Sequence, residues 1–180
     1  MYTILIAGGS ASGKSTLASL LSERLSADRR VAMIAMDSFY KPEADLPLVT
    51  VANGKTYRDY NCPEAFDLVR MHEAIAAAKA EYDIVIVEGL LTLDKAVVCC
   101  EADLRVFVDC PADVRFARRI KRNLSWGLSA EDIINVYVDL VRYRHEEYVE
   151  PTKANADLVV DTTHGTDEAV TVVLRGLHKY

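Results

Sequence analysis

The sequence predicts a doubly wound α/β fold, a parallel five-stranded sheet with helices on both faces, and three observations carry that prediction. Short apolar runs rich in β-branched residues recur at 2–7, 31–36, 83–87, 104–109 and 157–161. Their apolar character is continuous rather than alternating, as expected of strands buried on both faces, and parallel sheets bury both. Stretches with helical character separate the runs. Two of them open on proline, Pro63 and Pro111, which suits a helix's first turn because the N–H that proline lacks would have no partner there.

In order along the chain, YTILIA at 2–7 is the first strand, 14–27 the first helix and VAMIAM at 31–36 the second strand. Residues 38–62 then run irregularly, with Pro42, Pro47 and Gly54 among polar side chains, for longer than a connection inside a compact domain usually does. A helix over 63–80, the strand DIVIV at 83–87 and the strand LRVFVD at 104–109 follow. Helices over 111–124 and 130–149, the strand DLVVD at 157–161 and a helix over 167–177 complete the series. The helical pattern breaks at 123–129 (NLSWGLS), which holds the only tryptophan, Trp126, and a hinge candidate, Gly127. No repeat or Gly/Ser linker divides the chain, so one domain over 1–180 is expected, with a substrate insert at about 38–62 and a lid at about 123–129.

Acidic residues outnumber basic ones, 27 to 21, and the formal net charge is −6. That balance argues against a broad nucleic-acid-binding face but allows a local basic pocket for a nucleotide. Cys62, Cys99, Cys100 and Cys110 lack Cys-x-x-Cys and zinc-finger spacing, so free thiols in a reducing compartment are expected. With no basic leader and no apolar stretch of membrane-spanning length, the expectation is a cytoplasmic protein without membrane or nucleic-acid partners. Homo-oligomerisation stays open.

Between the first strand and first helix lies GGSASGKST: Gly8, Gly9, Ser10, Ala11, Ser12, Gly13, Lys14, Ser15 and Thr16. Glycine, four free residues and then Gly-Lys-Ser is the spacing of a phosphate-binding loop, here in its required strand-to-helix setting. The glycines permit a tight turn that aims successive N–H groups at phosphate oxygens, and the positive end of the helix faces the same anion. Lys14 is positioned for the β- and γ-phosphates and the Ser15 hydroxyl for Mg²⁺.

Asp37 follows the second strand and Glu88 the third, and in a doubly wound sheet both strand ends open toward the phosphate loop. Two carboxylates beside Ser15 make a Mg²⁺ site in which nucleotide phosphates and waters supply the remaining ligands. Arg115, Arg118, Arg119 and Arg122 lie three or four residues apart, so they share a helical face from which Lys121 points away. Arg119 and Arg122, nearest the lid, are the candidates for ATP and the transferring group, while Arg115 and Arg118 read equally well as a solvated face. Arg142, Arg144 and Lys153 form a second basic cluster that suits either the acceptor side or the surface. His145 reads as a surface or internally satisfied residue.

The ordered set GGSASGKST, MDSFYKPE at 36–43, YNCPEAFD at 60–67, VEGLL at 87–91, RRIKRN at 118–123 and EPTKANADLVV at 150–160 resembles the uridine kinase, nicotinamide riboside kinase and phosphoribulokinase group of P-loop kinases. The resemblance covers nearly the whole chain. It implies a strand order of 2-3-1-4-5, ATP and Mg²⁺ as cofactors, and Asp37 as the carboxylate that takes or orients the proton of the acceptor's primary hydroxyl. It also implies that Glu88 helps hold Mg²⁺ and that Arg119 and Arg122 approach the transferring group.

Departures from the uridine kinase pattern bear on the acceptor. Uridine kinases carry a pyrimidine-recognising β-hairpin before the strand that ends in Glu-Gly; here 68–82 fill that interval and read as one helix. Tyr60-Asn61-Cys62-Pro63 stands where those enzymes have Phe-Asp-His-Pro, and Ser125-Trp126-Gly127-Leu128 replaces the lid's Glu-Arg-Gly-Arg. The segments 38–43 and 142–146 look more like nicotinamide riboside kinases. Phe39, Tyr40, Tyr57, Arg58 and Tyr60 are the acceptor-pocket candidates, since aromatic faces with polar edges suit nucleoside-like ligands. The expected activity is transfer of the γ-phosphoryl of ATP to a primary hydroxyl, foremost the 5′-hydroxyl of a ribonucleoside. A sugar, sugar phosphate or vitamin precursor as acceptor, and a regulatory NTPase with no small acceptor, are the alternatives.

Overall fold

Strand β1 (Tyr2–Gly8) lies at the middle of the sheet because it is apolar on both sides, with Ile4 and Ile6 facing one helical layer and Leu5 and Ala7 the other. The computed structural model describes residues 1–177. Around β1 it places β2 (Val31–Ala35), β5 (Ile84–Gly89), β6 (Leu104–Asp109) and β7 (Leu158–Asp161) in the order β2-β5-β1-β6-β7. All pairings are parallel. Two short strands outside this sheet, β3 (Leu48–Thr50) and β4 (Thr56–Arg58), pair antiparallel with each other, so the strands of the main sheet, counted alone, stand in the expected order 2-3-1-4-5.

Helices α1 (Lys14–Leu25) and α6 (Asp167–Leu177) cover one face, burying Leu17, Ala18, Leu21, Ala169, Val170 and Val173 against Ile4, Ile6, Ile86 and Val106. On the other face α2 (Leu68–Glu81) buries Met71 and Ile75. Beside it the connection from β5 to β6 crosses that face without a helix, held by Leu90, Leu91, Leu93, Val97 and Val98. Helix α3 (Ala112–Ser125) leads by a short turn into α4 (Ala130–Val136).

Several boundaries differ from the sequence expectation for local reasons. The helix expected from Pro63 begins at Leu68, because Pro63–Ala65 forms a 3₁₀ turn and Asp67 caps α2 by accepting from the Arg70 N–H, an interaction worth about 1 kcal/mol. The second strand stops at Ala35, and Met36–Phe39 turns into a 3₁₀ helix that swings Asp37 off the sheet. Glu88 lies inside β5, not after it. The insert is less irregular than expected, since it contains the β3–β4 hairpin. The expected helix over 130–149 is one helical run with two π turns, Tyr137–Val141 and His145–Val149, on either side of α5 (Arg142–Arg144). The break expected at 123–129 is narrower: α3 persists to Ser125 and Ser129 caps α4 by accepting from the Asp132 N–H.

Candidate active site

The phosphate loop turns on two residues in the left-handed region, Ala11 at φ 63° and Gly13 at φ 98°. Glycine adopts that region freely, whereas at Ala11 it costs about 1–2 kcal/mol, strain of the kind held at ligand-binding loops. Gly13 is the N-cap of α1, so the helix's first free N–H groups face the loop's interior. Lys14 is buried, and Ser15 and Thr16 are exposed at the mouth of a cavity of about 380 Å³ lined also by Arg118, Arg122 and Thr162.

The Ser15 hydroxyl donates to Glu88 Oε1 at 3.0 Å. Glu88 Oε2 is buried and has no hydrogen-bond partner among the described residues. A buried carboxylate oxygen left over beside a hydroxyl, at the head of a phosphate loop, is what a hard divalent cation would complete, so the residues fit Mg²⁺. Burial raises the Glu88 carboxyl above its ordinary value against the pull of Lys14 and Ser15, and Asp37 adds to the rise through its own charge. Asp37 itself is exposed.

The basic face of α3 divides by function. Arg119 Nη1 and Arg122 Nη2 converge on the Ser10 hydroxyl at 3.0 and 3.2 Å. Burial depresses both guanidiniums, Arg119 further because Arg122 is beside it, and Arg119 Nε has no partner among the described residues. Two half-buried cations pressed together over a phosphate loop are relieved by an anion between them. Arg115 and Arg118, by contrast, brace the fold. Arg115 is buried and donates to the Cys110 carbonyl, and Arg118 donates to the carbonyls of Ser12, Thr162 and Thr163. Neither is the solvated surface cation that was one sequence alternative. Lys121 is exposed, away from that face.

On the acceptor side Tyr40 stacks on Phe66, meets Tyr60 edge-on and donates to the Tyr60 carbonyl at 3.1 Å. Its phenol lies far above the ordinary range, through burial first and then the Asp37 charge. Phe39 lies under the Arg70 guanidinium and Tyr60 is exposed. The other two candidates are already engaged: the Tyr57 hydroxyl donates to Asp139 at 2.7 Å and Arg58 pairs with Glu43. The structure therefore gathers Asp37, Tyr40 and Tyr60 and sets Tyr57 and Arg58 on the hairpin.

Residues 72–169 match the Phosphoribulokinase / Uridine kinase family. A uridine kinase from Chloroflexus aggregans is 35% identical over 179 residues, covering 86% of this chain and 83% of its own. The chain belongs to the phosphoribulokinase/uridine kinase family. A uridine kinase from Chloroflexus aurantiacus is likewise 35% identical, covering 88% and 86%. Among solved structures, a candidate fructose transport system kinase from Silicibacter sp. TM1040 superposes with a TM-score of 0.63 at 20% identity, covering 88% of this chain and 89% of its own. That likeness is one of fold.

In this member of the phosphoribulokinase/uridine kinase family Asp59, which the sequence reading did not single out, joins residues that it did. Asp59 is fully buried and accepts from Arg144 Nε at 2.6 Å, while Arg144 also pairs with Glu147. Despite the cost of burial, Glu147 and Asp59 hold the Arg144 guanidinium above its usual value. His145 is neither a surface nor a fully satisfied residue. Its ring edge packs against Gly9, where a Cβ would come within 3.0 Å of it, its Nε2 lies 3.2 Å from Glu150, and its buried Nδ1 has no partner among the described residues. Burial, then Arg115, lowers its basicity. Lys153 pairs with Asp109 at the end of β6. In the sequence Arg144 and Lys153 stand out only as part of a basic cluster, which does not name their partners.

Proposed function

We propose that the protein transfers the γ-phosphoryl group of ATP to a primary hydroxyl of a small acceptor, the 5′-hydroxyl of a ribonucleoside such as uridine, cytidine or nicotinamide riboside. The observation that carries the reading is Asp37, an exposed carboxylate on a turn beside the phosphate loop, within charge reach of Glu88, Arg122 and Tyr40. A carboxylate there can accept the hydroxyl proton as the acceptor oxygen bonds to the γ-phosphorus and the bond to the ADP oxygen breaks. Lys14, Arg119 and Arg122 carry the charge of the transferring group, and the loop's N–H groups orient it. Ser15, Glu88 and Asp37 would hold Mg²⁺, which when bound neutralises phosphate charge. The uridine kinase relatives support a nucleoside acceptor.

A second reading, a non-nucleoside acceptor, is favoured by one feature. Asn61 stands where uridine kinases have an acid, and the neighbouring Cys62 is buried with its thiol raised to about 12, chiefly by burial, so it offers no anionic grip. The test is ADP release with Mg-ATP over uridine, cytidine, nicotinamide riboside, simple sugars and pantothenate, for wild type and Asp37→Asn. The nucleoside reading expects one of the first three to stimulate release and Asp37→Asn to lower kcat by about 10²–10⁴ with both ligands still bound. ADP release that no acceptor accelerates overturns the kinase reading in favour of a regulatory NTPase. Stimulation by sugars or pantothenate alone selects the second reading.

A further inference from the structure

The β3–β4 hairpin has a ladder of only three residue pairs, Leu48 with Arg58, Val49 with Tyr57 and Thr50 with Thr56, and does not join the main sheet. An isolated two-stranded hairpin is marginal in water, so its position depends on what it is tied to. Its turn and its second strand reach one carboxylate oxygen. Asn53 Nδ2 donates to Asp139 Oδ2 at 3.0 Å, and the Tyr57 hydroxyl donates to the same oxygen at 2.7 Å. Just past the hairpin, Asp59 is clasped by Arg144.

Asp139 and Arg144 belong to the same helical run, which starts at the Ser129 cap directly after Trp126 and Gly127. Asp139 sits in the first π turn, between Val138 on the exposed side and the buried pair Leu140 and Val141. A π turn widens the helix and re-aims its side chains, and such turns recur at functional sites. Here the half-buried Asp139 faces the hairpin from that turn. Bonds to Tyr57 and then Asn53 hold its carboxyl below the ordinary range, as expected of a working ionic acceptor.

We infer that Asp139 is a positioning residue that latches the hairpin shut beside the acceptor site, joining the closure of the acceptor insert to the helix that begins at the lid. The inference rests on the reading of 38–62 as the acceptor insert. It acts through Tyr57 and Asn53. Tyr57 therefore serves the acceptor by holding the insert in place, and the aromatic contacts to the acceptor fall to Tyr40 and Tyr60.

The test compares wild type, Asp139→Ala, Asp139→Asn, Tyr57→Phe and the Asp139→Ala/Tyr57→Phe double variant, first by amide hydrogen exchange over 48–58 without ligands. Faster exchange there in Asp139→Ala, with the sheet strands unchanged, is expected; unchanged exchange overturns the latch. The second arm is ADP release driven by uridine and by nicotinamide riboside. If the insert without its latch is closed only about a tenth of the time, the acceptor KM of Asp139→Ala rises about tenfold while kcat at saturation and the KM for ATP stay within about twofold. The double variant should be no worse than Asp139→Ala alone, because Asp139→Ala already removes the one bond that Tyr57→Phe removes. A fall in kcat, or equal rises in both KM values, overturns the assignment. If Asp139→Ala does not fold, Asp139→Asn, which keeps the shape and weakens the charge-assisted bonds, decides by the same measurements. If wild type phosphorylates none of uridine, cytidine and nicotinamide riboside, the nucleoside reading fails, and the exchange arm still settles whether Asp139 holds the hairpin.

Discussion

A methyl group at position 89 would meet the Met36 Cβ at 2.4 Å, closer than atoms of two packed residues approach, so Gly89 is required by the turn that carries Asp37. Because Met36 is fully buried, it has little room to yield. Gly89→Ala is expected to lower stability by about 1–3 kcal/mol in urea denaturation, as overpacking does. A variant with unchanged midpoint and slope would show that the turn gives way freely. The substitution should also lower turnover, since the strain falls one residue from Asp37 and one from Glu88. At Gly9 the contact is softer: an added Cβ would meet Arg115 Nη1 at 2.7 Å, the far end of a long side chain that can shift.

At the scale of elements, the sheet's edge strand is tied to its neighbour by Arg30, which precedes β2 and grips Asp83, which precedes β5, at 2.9 and 3.2 Å through its guanidinium and at 3.0 Å through its backbone N–H. Arg30 holds the Asp83 carboxyl at about 2, against an ordinary value of 3.8. A depressed carboxyl adds stability above its unfolded value and loses it as pH falls through the folded one. Between pH 3.8 and about 2 the wild type should therefore lose the guanidinium's share of that contribution, which Arg30→Gln lacks while keeping the backbone bond, so the two melting curves should converge on acidification. Parallel displacement of the two curves across that range would mean the pair is not what Arg30 contributes. The strands and the phosphate loop were legible in the sequence because each has its own local signature, a continuous β-branched run or a fixed glycine spacing. The hairpin was missed, although Asn53-Gly54 between LVT and TYR is a turn signal and Gly54 takes φ 81°. The length and polarity of 38–62 hid it. The π turns left no mark, because their residues are ordinary helix residues. The pairings of Asp59 with Arg144 and of His145 with Gly9 join positions far apart in the chain, which no local pattern encodes.

Across the whole molecule, the phosphate loop and the β3–β4 hairpin are joined through α3 and the helical run that follows it. Trp126 is 65% exposed with the Arg122 guanidinium 4.9 Å from its ring, and Arg122 reaches Ser10 of the phosphate loop. An anion that draws Arg122 inward should disturb that stack, so Mg-ATP is expected to change the emission of the single tryptophan. A flat signal at saturation, with binding established by calorimetry, would exclude lid closure around Trp126. Among the described residues no helix is long and apolar enough to cross a membrane. The sheet order has a further consequence, for the chain as it is made. β1 and β2 leave the ribosome before the other strands of this sheet, yet they do not pair in it, because β5 lies between them and pairs with both. Until residues 84–89 emerge, the apolar strand at the centre of the protein has no neighbour to pair with, and it acquires its second only with residues 104–109. A nascent chain halted before β5 is thus an unfinished sheet whose central strand has no partner, and unpaired apolar strands of that kind are prone to aggregate.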